Sequence, residues 1–110
     1  MLHPDLLDSA NALSDRIVAL RRAIHAEPEI GLQTPLTMAK VRAALAHLPL
    51  DWREGGSTTG AVATLTGSRP GRRVLLRGDM DALPMPEHTG LDFASTIPGR
   101  GRAARITSAL

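Results

Sequence analysis

"RRVLLRGDMDALPMPEHTG", residues 72–90, is the stretch whose reading decides the fold. Val74, Leu75 and Leu76 form an unbroken apolar run, the pattern of a strand covered on both faces. It predicts a strand over residues 73–78. Directly behind it stand Asp79 and Asp81, with Pro84 three residues after the second aspartate. On a continuing strand, positions i and i+2 share one face. Two bare carboxylates there repel unless a metal ion or hydrogen-bond donors stand nearby. If the strand has already ended, both are loop carboxylates and one caps a turn. Metal binding, proton transfer and orienting another catalytic group are the chemistries the pair suits, and each needs partners elsewhere in the chain.

Outward from this stretch, the chain reads as helices first and strands after. Leu6, Ala10, Leu13, Ile17, Leu20 and Ile24 recur at spacings of four and three, which predicts one amphipathic helix over residues 4–26. Pro4 and Asp5 suit its first turn, and Arg21 and Arg22 suit its end. Pro28 biases Glu27 away from helical geometry and closes the element. Thr34 as N-cap and Pro35 at the first helical position open a second helix over residues 35–47, with Met38, Val41, Leu45 and Leu48 as its apolar stripe and Pro49 behind it. Residues 50–54 form a short strand candidate ended by Gly55-Gly56, and residues 61–66 another, followed by the turn "SRPG". Two helices followed by about three strands indicate an α/β fold. The strands over 61–66 and 73–78 are expected as neighbours in one sheet, with the first helix packed on it.

Composition narrows the function classes. A chain of 110 residues suits one small domain or a piece of a larger one. Hydrophobic residues make up 43%, yet the aromatics are only Trp52 and Phe93, so the core is built from aliphatic side chains and is thin. Twelve of the 13 basic residues are arginines, scattered without interleaved aromatics, whereas a nucleic-acid surface needs a clustered basic face. Asp5, Asp8 and Asp15 interrupt the first apolar segment, and no run approaches the ~20 apolar residues of a membrane span. The absence of Cys excludes a disulfide framework and thiolate ligands. No nucleic-acid or membrane partner and a cytoplasmic setting are the expectations.

The wider string carries a resemblance. "LRRAIHAEPEIG" together with "VLLRGDMDALPMPEHTGLDFASTIPG" resembles the start of metal-dependent amidohydrolases of the aminoacylase, hippurate hydrolase and auxin-conjugate hydrolase type, a metallopeptidase family that also contains carboxypeptidases. His25, Pro28 and Glu29 match an early His-x-x-Pro-Glu signature. The block from Arg77 to Ser95 matches Arg-x-Asp-Met-Asp-Ala-Leu-Pro followed by Glu-x-Thr-Gly. The resemblance covers roughly residues 13 to 100 and implies the N-terminal part of an α/β/α sandwich. It also implies a divalent metal site, zinc or manganese, whose bound water cleaves the amide of a small N-acyl amino acid while a glutamate moves the proton. In distant relatives the strand ends His-x-Asp-x-x-Pro. Asp79 takes that His position here, and Asp81 and Pro84 match the Asp and Pro. The resemblance thus makes Asp81 the residue that aims a ligand imidazole, with Asp79 as a weaker catalytic candidate.

The family ligands come later, in a Cys-Gly-His-Asp-x-His segment, a Glu-Glu pair and further histidines. This chain departs from the pattern there. Residues 101–110 read "GRAARITSAL", with no Cys, His, Asp or Glu. Residues 1–100 are expected to be the catalytic-domain part and residues 101–110 a tail foreign to the family. Ala103-Ala104 is what a Cys-Gly codon pair yields when read one base late, so a frameshift and a truncation both fit. No family metal ligand is expected in this chain, which would be inactive alone and prone to self-association through open sheet edges. The rival reading is a non-catalytic α/β remnant or binding module that needs a partner chain.

The remaining candidates read as structural. His25 at a helix end is expected to be a hydrogen-bonding group rather than a ligand, and His88 an exposed loop residue. A site combining both with Asp79 and Asp81 would be fortuitous. His3 and His47 have no chemistry-bearing neighbours in sequence. Gly55-Gly56 and Gly60 lack the Lys and helix of a phosphate loop. Ser57, Ser95 and Ser108 lie outside any nucleophile elbow.

Overall fold

A computed structural model of the chain describes residues 4–100, with side chains from residue 5. It is mixed α/β, as expected: α1 (Pro4–Ala12), α2 (Ser14–Ala26), α3 (Pro35–Ala44), β1 (Asp51–Glu54) and β2 (Ala61–Thr64). The single helix expected over residues 4–26 is two helices. At Leu13 the N–H donates to the Ala10 carbonyl, three residues back at 3.1 Å, and regular α-helical bonding resumes with the Ile17 N–H to the Leu13 carbonyl at 3.0 Å. Ser9, Asn11 and Ser14 surround the break, and their short polar side chains compete with helical bonding. The helix expected to reach residue 47 stops at Ala44. Its end tightens into three-residue bonding, with the Ala46 N–H on Ala43 and the Leu48 N–H on Leu45, ahead of Pro49.

The strands form one two-stranded antiparallel sheet, with Asp51 opposite Thr64 and Glu54 opposite Ala61. A bond from the Gly55 N–H to the Gly60 carbonyl at 2.9 Å closes the connecting loop. The third strand expected over residues 73–78 does not form. Val74, Leu75 and Leu76 are 81%, 80% and 90% exposed. A strand of this apolar type needs pairing partners at its edges and cover on both faces, and neither reaches it among the described residues. The expected packing of the first helix on the sheet also fails. Helices α1, α2 and α3 pack on one another in sequence, and the two strands pack on each other. The stripe residues Leu6, Leu13 and Ile17 consequently stay exposed.

What core exists lies where the α2–α3 connection meets the segment after Asp81. Thr37 and Pro28 are fully enclosed there, with Met38 and Ala82 the buried apolar residues among those described. Gly31, at φ +71°, turns the chain from Ile30 into the approach to α3, a left-handed conformation that a Cβ would strain. The tail over residues 101–110, and His3, lie outside the described residues.

Candidate functional site

Two cross-links join the early His-x-x-Pro-Glu block to the later aspartate block. The first is at Glu29. Its backbone carbonyl accepts the Ala82 N–H at 2.7 Å, beside a parallel bridge between Ile30 and Ala82. Its side chain turns the other way: Oε1 accepts the Thr37 N–H at 2.6 Å, in the first turn of α3. Thr34 precedes α3 but does not cap it with its hydroxyl. That hydroxyl lies 2.9 Å from the Thr59 hydroxyl, which also accepts the Thr34 N–H at 2.6 Å. Glu29 therefore supplies the anionic cap that the positive end of a helix favours, and it fixes the residue next to Asp81 in the same stroke.

The second cross-link is at His25, in the last turn of α2. Its Nε2 lies 2.6 Å from Glu87 Oε1, and both side chains are almost fully buried. Phe93 meets the imidazole edge-on, with ring centroids 5.3 Å apart, and the Arg22 guanidinium lies over the Phe93 ring, 4.6 Å from its centroid. Glu87 also accepts the Thr89 hydroxyl and, at 3.4 Å, the Ser95 N–H. Burial acts to raise the Glu87 carboxyl pKa. The hydrogen bonds from Thr89, Ser95 and His25, with the charge of His25, outweigh it and hold the group below the ordinary glutamate value. The Thr96 N–H and hydroxyl both donate to the Ala26 carbonyl, at 2.8 and 3.0 Å, and complete the seam.

Between these two fasteners the aspartates stand outward. Asp79 is exposed and accepts a hydrogen bond from Arg77 Nη2 at 2.8 Å. Asp81 is exposed and makes no side-chain hydrogen bond among the described residues. Both belong to a loop, so the loop reading of the pair holds over the strand reading. The structure does not bring His25 or His88 to them: His25 is committed to Glu87, and His88 is exposed. No group of three His, Cys, Asp or Glu side chains among the described residues is placed to hold a metal ion. The described residues therefore offer no assembled site for a divalent metal. Glu87 is the group that single-residue reading passed over. Its sequence signal was its place three residues after Pro84, in the Glu-x-Thr-Gly motif.

Comparison with known proteins finds similarity to the N-terminal parts of several hydrolases. The chain is similar, at about 35–41% identity, to the N-terminal part of amidohydrolases, deacetylases and carboxypeptidases. In particular, it is 39% identical over 95 residues to thermostable carboxypeptidase 1 of Saccharolobus solfataricus, covering 86% of this chain and 24% of that enzyme. It is 41% identical over 86 residues to the N-acyl-L-amino acid amidohydrolase of Geobacillus stearothermophilus, covering 76% of this chain and 22% of the enzyme. It is also 41% identical over 88 residues to the N-acetyldiaminopimelate deacetylase of Oenococcus oeni, covering 76% and 23%. The chain thus spans about a quarter of the length of the curated relatives it matches. No family model matches it, and no solved structure matches it. No helix among the described residues is long and apolar enough to cross a membrane.

Proposed function

We propose that this chain is the N-terminal part of a metal-dependent, cytoplasmic amidohydrolase that cleaves the amide bond of small N-acyl amino acids, hippurate-type compounds included. The carrying observation is the similarity to amidohydrolase and deacetylase N-termini over most of the chain. The chain's own part is positional. Glu29 and the His25–Glu87 pair brace the segment that presents Asp81 outward, with its carboxylate unengaged by described neighbours. Asp81 orients a histidine supplied by residues beyond this chain, and those residues hold the zinc or manganese ion. Alone, the chain has no catalytic activity.

The test joins residues 1–100 to the remaining three quarters of the Geobacillus enzyme and follows hydrolysis of N-acetyl amino acids. The chimera should turn over substrate, and Asp81→Asn should cut its metal affinity or kcat by about 10–100-fold. The same substitution in the 110-residue chain should change stability by no more than about 0.5 kcal/mol, because the side chain is exposed. Tight stoichiometric zinc binding by the 110-residue chain, lost on Asp81→Asn, would overturn the proposal.

A further inference from the structure

We infer that the outer edge of β2 is a self-pairing edge: a second copy of this chain adds there antiparallel, about a two-fold axis at Ala63, and joins two two-stranded hairpins into one four-stranded sheet. This pairing needs none of the metal chemistry proposed above and stands or falls apart from it.

The strand register fixes which groups face outward. The Gly55 N–H donates to the Gly60 carbonyl directly opposite it, at 2.9 Å. Along an antiparallel ladder, pairs that exchange hydrogen bonds alternate with pairs that do not. Arg53 opposite Val62 and Asp51 opposite Thr64 are therefore the bonded pairs, with their N–H and C=O groups turned toward each other. Ala61 and Ala63 turn theirs away from β1, and the next alternate residue is Leu65. No further strand covers that edge among the described residues, and Val62 and Leu65 are 54% and 60% exposed. A hairpin of two short strands is marginal in water, whereas three or more strands support one another.

The residues along the edge select a second copy as its occupant. Residues 61–66 read "AVATLT", without the charges or prolines that blunt an edge. A two-fold axis at Ala63 sets Ala63 against itself, Ala61 against Leu65 and Val62 against Thr64. The outward N–H and C=O groups of Ala61, Ala63 and Leu65 then all find partners, and no like charges meet. An axis at Val62 would bring Leu65 against Thr59, whose N–H already donates to the Leu32 carbonyl at 3.0 Å. The outer edge of β1, by contrast, is guarded. An axis at Arg53 or Glu54 sets like charges directly opposite, which is destabilising. An axis at Trp52 meets the Leu50 N–H, already bonded to the Leu48 carbonyl at 2.9 Å.

Sedimentation of the 110-residue chain over a concentration series, with amide exchange followed at each concentration, tests this. The expected result is a monomer–dimer equilibrium in which exchange at Ala61, Ala63 and Leu65 slows as the dimer forms. Ala63→Pro removes one outward N–H from each copy and should weaken the dimer by about 10-fold or more. Ala63→Lys and Ala63→Glu each set like charges against one another across the axis, and each should weaken it about five-fold. An equimolar mixture of these two variants should pair more tightly than either alone. Ala63 is exposed, so both charged variants keep the monomer fold. A monomer at every concentration up to about 1 mM, or a dimer that leaves those amides in fast exchange, would overturn the inference. So would a mixture of the charged variants that pairs no better than either alone, or a monomer in which residues 73–78 and the β2 edge protect each other.

Discussion

At the scale of single residues, the informative group is Glu87. A carboxylate enclosed beside an imidazole and an aromatic ring is tolerated because three donors converge on it. Its pKa in the folded chain is lowered, so its contribution is complete above the ordinary glutamate pKa and disappears as pH falls through the folded value. Urea denaturation of the chain should therefore show an acid limb below the ordinary glutamate range. Glu87→Gln should flatten that limb and cost about 1–2 kcal/mol at neutral pH, since charge-assisted bonds exceed neutral ones. An unchanged acid limb would show that Glu87 is not ionised in the fold. His25 was legible as a hydrogen-bonding helix terminus, and that is how it is used. Its partner was not legible, because 62 residues separate the two and nothing in local periodicity couples them. Asp79 and Asp81 were legible as a pair, but their conformation depended on a strand that does not form.

At the scale of elements, boundaries followed local chemistry and failures followed missing neighbours. Pro28 and Pro35 punctuate the chain where expected, because proline acts through its own backbone geometry, whereas α3 already ends at Ala44, ahead of Pro49. The break at Leu13 escaped the periodicity reading, since an apolar stripe continues across a single tight turn. The strand over residues 73–78 escaped for a different reason: a strand is stabilised by what lies beside it, and the apolar run states only that cover is required. The cap of α3 shows the same dependence. Thr34 has the right identity and position but bonds Thr59, and the first turn is served by Glu29 from across the bend. Glu29→Ala should cost about 1–2 kcal/mol by leaving the Thr37 N–H without its buried partner. It should also speed hydrogen exchange at that amide, whereas Thr34→Ala should leave Thr37 protected. Equal exchange at Thr37 in both variants would refute the division of labour.

At the scale of the whole molecule, the ratio of covered to open apolar surface decides behaviour. The chain's radius of gyration is 15.9 Å, against about 13 Å for a compact domain of this length. Among the described residues few apolar side chains are buried, while Leu6, Leu13, Ile17 and the Val74–Leu76 run lie open. The favourable burial term is therefore small, whereas the ordering cost per residue is the same as in any fold. The polar fasteners at Glu29 and Glu87 are specific, but a hydrogen bond adds only about 1 kcal/mol net. Together they cannot replace a core. The isolated chain should unfold at low temperature in a broad transition with a small enthalpy. Amide protection should be confined to α2, α3 and the seam from Glu29 to Ala82. Calorimetry at several protein concentrations checks this: a sharp, reversible, concentration-independent transition above about 65 °C, the upper edge of ordinary mesophilic domains, would show that the open surfaces cost far less than their area requires.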